Sequence, residues 1–335
     1  MKKVLITGGA GFIGLHLSIQ LLAQGYEVTA CDNGLRGSFD RYIGALGNNK
    51  RYRLVRCDLL DDRCFDEVGD SYTHIFHLAA IVGVRNVVER PYAVLRDNAR
   101  CLMRVIDMAR EQRKLQRLVF PSTSEVYAGT QQVFGIEFPT RETTPLTVGD
   151  FRQPRTSYML SKIYGEALCH QAGIPFSIVR PHNVYGPRMG MAHVVPELLE
   201  RAHYSMAGGK LRVFSPNHTR TFCFVEDAVK LIIGVATSSE GVNKTFNIGT
   251  SSEETSMKML ARLVTKTVGK SLQIECGPET QGSPPRRRPD VSQAVAVAGY
   301  TPSVSLAEGV RRTYEWYRDH VFATLPGHRM ATNVG

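Results

Sequence analysis

The stretch from Val4 to Gly14, VLITGGAGFIG, constrains this chain more than any other. A short apolar run leads into a turn with glycines at 8, 11 and 14. Ile13, Leu17 and Leu21 then recur at four-residue spacing, as the buried face of a helix does. Strand, glycine turn and helix in that order meet three demands together: a tight turn, close approach of backbone to a pyrophosphate, and a helix N-terminus facing negative charge. Gly8, Gly11, Phe12, Ile13 and Gly14 are therefore expected to cradle a dinucleotide. Asp32 ends the next apolar run, YEVTACDN, and Asn33 follows it. A carboxylate there accepts both ribose hydroxyls of NAD and repels the additional phosphate of NADP, so NAD is the expected cofactor. Arg36, close behind, is compatible with a phosphate, so it is Asp32 that disfavours NADP.

Further apolar runs follow in YRLVRCDL, THIFHLAA, LQRLVFPSTS and PFSIVRPHNVYG. PYAVLRDNARCLMRVIDMAREQ and TSYMLSKIYGEALCHQAG lie between them with helical patterning. Strands alternating with helices predict an α/β chain with a Rossmann-like, doubly wound parallel sheet, expected over residues 1–185. From 186 to 325 the elements shorten, as in KLRVFS and KTFNIG, and Pro, Gly and Ser become frequent. This portion reads as a smaller, mixed α/β substrate-binding part, some of whose later segments return to the sheet. Residues 326–335 read as a frayed tail.

The bulk numbers exclude several classes. No apolar run approaches the roughly 18 residues of a membrane span, and no signal-peptide pattern is expected. The seven cysteines are scattered without a CxxC pair, which points to neither a disulfide framework nor a zinc site, and to no metal. A cytoplasmic enzyme is the simplest expectation. The formal net charge is +10, but the densest basic group is RRR at 286–288. That fits an anionic small substrate at least as well as a nucleic acid, and no nucleic-acid partner is expected.

The ends of the remaining strands carry the other candidates. Asp58 and Leu59 in CDL suit the adenine edge, or an N-cap. Leu78, Ala79 and Ala80 in HLAA let a flat cofactor lie against the sheet, or serve packing. Ser122 and Pro181, at strand ends, are placed beside the cofactor as well. Tyr158 and Lys162 form Y-x-x-x-K on one helix face. A tyrosine, with a free pKa of about 10, needs about 4 kcal/mol to act as a base near neutrality. An ammonium about 4 Å away supplies roughly that at an effective dielectric of about 20. Thr123, Ser124 and Glu125 in PSTSEVY follow directly on the fifth strand.

Taken together, TGGAGFIG, HLAA, STSEVY, YMLSK and RPHNVYGPR resemble the extended short-chain dehydrogenase/reductases, and within them the NAD-dependent sugar-nucleotide epimerases and dehydratases. The resemblance spans about residues 1 to 320. It implies a nucleoside-diphosphate sugar as substrate, oxidised at C4. It implies Tyr158 as base, Lys162 as its tuner and ribose anchor, and Thr123 as hydrogen-bond partner of the reacting oxygen. Asn98 matches a helix asparagine near the active site. Asn183 and Arg188 in the RPHNVYGPR match, with Arg220 and Arg287, are implied to bind substrate, the last two by clamping phosphates. The helices carrying Asn98 and Tyr158 resemble those of a four-helix dimer interface, which implies a homodimer.

Chemistry after oxidation turns on Glu125. A glutamate there resembles the 4,6-dehydratases and the UDP-glucuronate decarboxylases. Dehydration is the favoured expectation, and decarboxylation of a uronate the next, although many dehydratases carry an aspartate where this chain has Ser124. A simple 4-epimerase with hydride return is the alternative. A plain oxidoreductase releasing NADH and a non-catalytic NAD sensor are rivals; the intact Thr123, Tyr158 and Lys162 set argues against the sensor.

Overall fold

A computed structural model describes residues 2–37, 39–280 and 282–324; the tail read at 326–335 lies outside the described residues. Seven strands form one parallel sheet. Their order is Lys244–Ile248, Phe176–Pro181, Arg117–Pro121, His74–His77, Lys3–Thr7, Glu27–Asp32 and Tyr52–Arg56. Val4, Leu5, Ile6, Ile75, Phe76, Leu118, Val119, Ile178 and Val179 are all buried, as expected for strands covered by helices on both faces. From the first strand the chain steps outward to Glu27–Asp32 on one side, and later to His74–His77 on the other. That reversal opens a crevice at the carboxyl ends of the strands, where Gly8 and Leu78 emerge.

One face of the sheet is covered by helices Phe12–Ala23, Val225–Thr237 and Ser292–Ala298, which share one apolar cluster. Helices Pro91–Arg110 and Arg155–Gln171 pack against each other, and residues of both join the cluster on the opposite face. The strand Lys244–Ile248 and the helix Val225–Thr237 come from the second half of the chain, yet they build the first half's sheet and its cover. A third cluster lies under helices Val194–Tyr204, Met257–Val268 and Leu306–His320. Beside it runs a small sheet in which Thr219–Arg220 is flanked by Thr255–Ser256 and Arg286–Arg287.

Two local features depart from the sequence reading. The run PFSIVRPHNVYG is not one strand. Asn183 takes φ 42°, which ends Phe176–Pro181 and redirects Val184–Tyr185 to pair with Cys223–Phe224. The cysteine spacing points to no disulfide, yet Cys57 and Cys64 are bonded. The loop between them folds back through Asp61 N–H to Asp58 O and Cys64 N–H to Asp61 O. This compact return makes a contact that a search for CxxC does not see. The Cys31 sulfur lies 3.1 Å from that of Cys57.

Candidate active site

The glycine turn is shaped by what a side chain would strike. Gly8 has φ 72°, and a Cβ there would lie 2.7 Å from Ala79 N. A Cβ on Gly14 would lie 2.4 Å from Gly8 O. Helix Phe12–Ala23 begins at Gly11 with no side-chain cap and no acid in its first turn. Its positive end is left for an anion from outside the helix. Asp32 is buried at the end of its strand; one carboxylate oxygen accepts from Ala10 N–H at 3.0 Å and the other from Gly34 N–H at 2.9 Å. Each oxygen retains a further lone pair.

The neighbouring strand ends complete this side. Asn33 donates to Asp58 at 2.9 Å, and Asp58 also accepts from Leu60 N–H. Leu59 is buried beneath them, and Leu78, Ala79 and Ala80 are half-buried at the mouth of the crevice. Asn98 does not present a free amide. It accepts from Ile81 N–H at 2.7 Å and donates to Ile81 O at 3.0 Å, bracing the loop after HLAA. The Ser122 hydroxyl is buried without a hydrogen-bond partner among the described residues, and Pro181 is half-buried at the next strand end. A glycine cradle that any Cβ would fill, an uncapped helix end and an orphaned hydroxyl fit NAD, with Asp32 toward a ribose and the turn toward the pyrophosphate.

Tyr158 and Lys162 lie on one helix face, with the Lys162 amine 5.9 Å from the centroid of the Tyr158 ring. The Lys162 amine is buried and donates to Pro121 O at 2.7 Å, under the ring of Phe120. Burial draws its pKa down to about 8. The Tyr158 phenol is pushed up to about 12, chiefly by burial and also by the charge of Glu125; Arg36 and a hydrogen bond with Thr123 work the other way. Within the chain, burial outweighs the groups that favour the ionised phenol. The carbonyl at the end of the fifth strand is the better partner for a buried ammonium, and it holds the amine there. Thr123 also accepts from Glu125 N–H, capping the short helix Ser124–Tyr127.

The second half of the chain supplies the charge. Arg287 and Arg220 are register partners on adjacent short strands, although far apart in sequence. Arg287 donates to the Glu125 carboxylate. Burial raises the Glu125 pKa, but the charge and hydrogen bond of Arg287, with Arg155 and Arg220, outweigh it and hold the carboxyl below the usual carboxylate range. Arg220 is buried, donates to Ser283 Oγ and Pro284 O, and is drawn down to about 10 by burial and by the charge of Arg287. Asn183 donates to Thr221 O, beside Arg220. Ser124 is buried and lines a small cleft with Tyr127, Thr140, His182 and Arg287.

Arg188, expected to bind substrate, lies against the glycine turn. Its guanidinium pairs with Asp40 at 2.6 Å and donates to the carbonyls of Ala10 and Gly11. It braces the glycine turn. Its φ of 66° turns the backbone after GP and carries the side chain that way. Arg36, noted in the sequence only for its compatibility with a phosphate, acts on Tyr158 through charge. Two residues, Arg155 and His182, carry no signal of their own in the sequence; Arg155 acts on Glu125 through charge. His182 stands in the cleft, and only its place in RPHN, next to a residue already noted, points to it.

The chain is similar to several known proteins. A UDP-N-acetyl-alpha-D-glucosaminuronate decarboxylase from Bacillus cytotoxicus is 32% identical, over 95% of this chain and 98% of its own length. UDP-glucuronic acid decarboxylase 1 from Xenopus tropicalis is 31% identical, over 95% of this chain and 72% of its own. The crystal structure of UDP-glucuronic acid 4-epimerase from Bacillus cereus, with UDP-glucuronic acid and NAD, superposes with a TM-score of 0.81 at 26% identity, over 95% of this chain and 99% of that one. The model of the NAD dependent epimerase/dehydratase family matches residues 4–249, from the first strand of the central sheet to its last. With the glycine cradle at one end of that stretch and the Thr123, Tyr158 and Lys162 set within it, this chain belongs to the NAD-dependent epimerase/dehydratase family and is an NAD-dependent enzyme.

Proposed function

We propose that the enzyme oxidises C4 of a nucleoside-diphosphate uronate and then releases its C6 carboxyl as carbon dioxide. The observation that carries this reading is the Glu125–Arg287 pair beside Ser124. Dehydration needs an acid to protonate the departing hydroxyl. Ser124 is a poor acid, and Glu125 is held as an anion by Arg287. Decarboxylation needs no such acid. A C4 ketone is β to the C6 carboxylate, so the electrons of the breaking C5–C6 bond pass into the C4 oxygen.

The residues divide the work accordingly. Tyr158 takes the proton of the C4 hydroxyl, and Thr123 steadies the same oxygen as it becomes a ketone and then an enolate. NAD, when bound, supplies the acceptor for the C4 hydride and a positive charge near the phenol. Arg287, with Arg155 and Arg220 near, attracts the uronate carboxylate. As the carboxylate leaves as neutral carbon dioxide, Glu125 remains to pair with Arg287, so that no buried charge is stranded. Arg220 and Asn183 are placed toward the diphosphate, and Lys162 toward the ribose and the phenol.

The relatives support a uronate: two are decarboxylases named for uronic acid sugars, and one structural neighbour holds UDP-glucuronic acid. That neighbour is a 4-epimerase and so supports the second reading, in which hydride returns with C6 retained. Helices Pro91–Arg110 and Arg155–Gln171 expose Tyr92, Met103 and Tyr164, and we place a homodimer contact there. No helix of the described residues is long and apolar enough to cross a membrane, and a cytoplasmic enzyme remains our reading. A panel of UDP-, GDP-, dTDP- and CDP-sugars, uronates included, tests the reaction by product mass. Carbon dioxide lost from a uronate is expected. Water lost from a neutral sugar, with every uronate left intact, would overturn it.

A further inference from the structure

His182 follows directly on the sixth strand of the chain and is buried. Its surroundings fix which ring nitrogen carries the hydrogen. Asn247 donates from its amide nitrogen to two carbonyl oxygens, Thr140 O at 3.0 Å and Asp290 O at 3.2 Å. Its Oδ1 therefore faces Tyr127 and His182. Tyr127 donates to that oxygen at 2.9 Å and accepts from Arg180, which is itself held by Glu166. The His182 Nε2 lies 3.1 Å from the same oxygen and must donate to it.

Nδ1 is then left with a lone pair. It is buried, with no hydrogen-bond partner among the described residues. Burial draws the His182 pKa down to about 3, and the charges of Arg287 and Arg180 act the same way, so the ring stays neutral. His182 lines the cleft that Ser124 and Arg287 also line. The lining thus includes the anion-seeking Arg287 and a histidine whose Nδ1 is a buried, unmatched acceptor. A carboxylate, which only accepts, suits the first and not the second.

We propose that His182 is a specificity-determining residue that accepts, at Nδ1, a hydrogen bond from an O–H or N–H donor on the substrate sugar. The assignment rests on the nucleotide-sugar reading above. A donor satisfies an acceptor that is otherwise buried and unmatched, and a sugar lacking that donor is rejected.

Two substitutions separate this role from a structural one. In His182→Gln the amide reaches the position of Nε2 and keeps the Asn247 contact, while the acceptor at Nδ1 is lost. In His182→Asn the amide lies where Nδ1 was, so the acceptor survives and the Asn247 contact is lost. The Gln variant is expected to weaken binding of the UDP-uronate about tenfold, read by calorimetry and as a rise in KM, with its melting temperature near wild type. The Asn variant is expected to bind near wild type and to melt lower. A UDP-uronate lacking the contacted hydroxyl should lose the same factor with wild type and nothing more with His182→Gln. The reverse pattern, with binding lost in Asn and kept in Gln, would overturn the proposal, as would wild-type binding in both. Calorimetry with UDP-uronates that are not turned over keeps this result separate from the decarboxylation reading, which fails only if wild type releases no carbon dioxide.

Discussion

The cofactor cradle and the Glu125 corner lie at the same end of the sheet but are assembled differently. The cradle is local: Gly8, Gly11 and Gly14 share one turn, and Asp32 ends the very next strand. Its polar side chains are largely held by neighbouring backbone, as Asp32 is by Ala10 and Gly34, and Asn98 by Ile81. The corner gathers Ser124 and Glu125, Asn183, Arg220 and Arg287 from four separate segments, and Glu125, Arg220 and Arg287 act on one another by charge. Recognition in the cradle thus rests on backbone shape. At the corner it rests on a balance of a few charges, and that is where members of such a family can change chemistry without changing fold.

The largest effect should come from the group that serves both regions. Tyr158→Phe is expected to lower kcat by about 10²–10⁴-fold while leaving bound NAD unchanged, measured by product release and by the NAD content of purified protein. Retained turnover would remove Tyr158 as base. Next is Arg287→Met, expected to abolish carbon dioxide release by about 10²-fold or more with NAD content at wild-type level, since a charged hydrogen bond to the substrate is lost. Pairing it with Glu125→Gln should give a double-variant loss well short of the product of the single losses, because the two side chains act as one unit.

A complementary break comes from the cradle. Gly14→Ala drives a methyl against Gly8 O and should cost about 1–3 kcal/mol of stability as well as NAD binding. Thermal melting and cofactor content read both. If this variant holds NAD normally, cofactor binding does not depend on the shape of the turn. The smallest effect is pH-dependent. Lys162 is drawn down to about 8, so it is an ammonium below that pH and neutral above it. If the ammonium supports ionisation of Tyr158, kcat/KM should decline as pH rises through about 8. A profile flat to about pH 10 would show that its charge is not required.

How much of this was legible follows the same division. The glycine turn, Asp32 and the Tyr158–Lys162 spacing are periodic or adjacent features, and they can be read directly. The small sheet that sets Arg287 beside Arg220 is not, because strands of two residues carry no periodicity. Arg220, Arg287 and Arg188 come from family resemblance alone, and the pairing of Arg188 with Asp40 depends on a backbone turn that no local pattern encodes. The Lys162 amine shows a further limit. Helical spacing puts it on the face of Tyr158, but its hydrogen bond to the Pro121 carbonyl comes from another segment. Cys57 and Cys64, and the tautomer of His182, likewise depend on contacts between segments that no local pattern encodes.

The central claim is that carbon leaves the sugar at this corner. It is tested most directly with a UDP-uronate isotopically labelled at its C6 carboxyl, with the NAD-loaded enzyme, following label in released gas and in the nucleotide sugar. Label appearing as carbon dioxide, in step with a sugar shortened by one carbon, is the predicted result. Label retained in a sugar inverted at C4, or stripped of water, would contradict it.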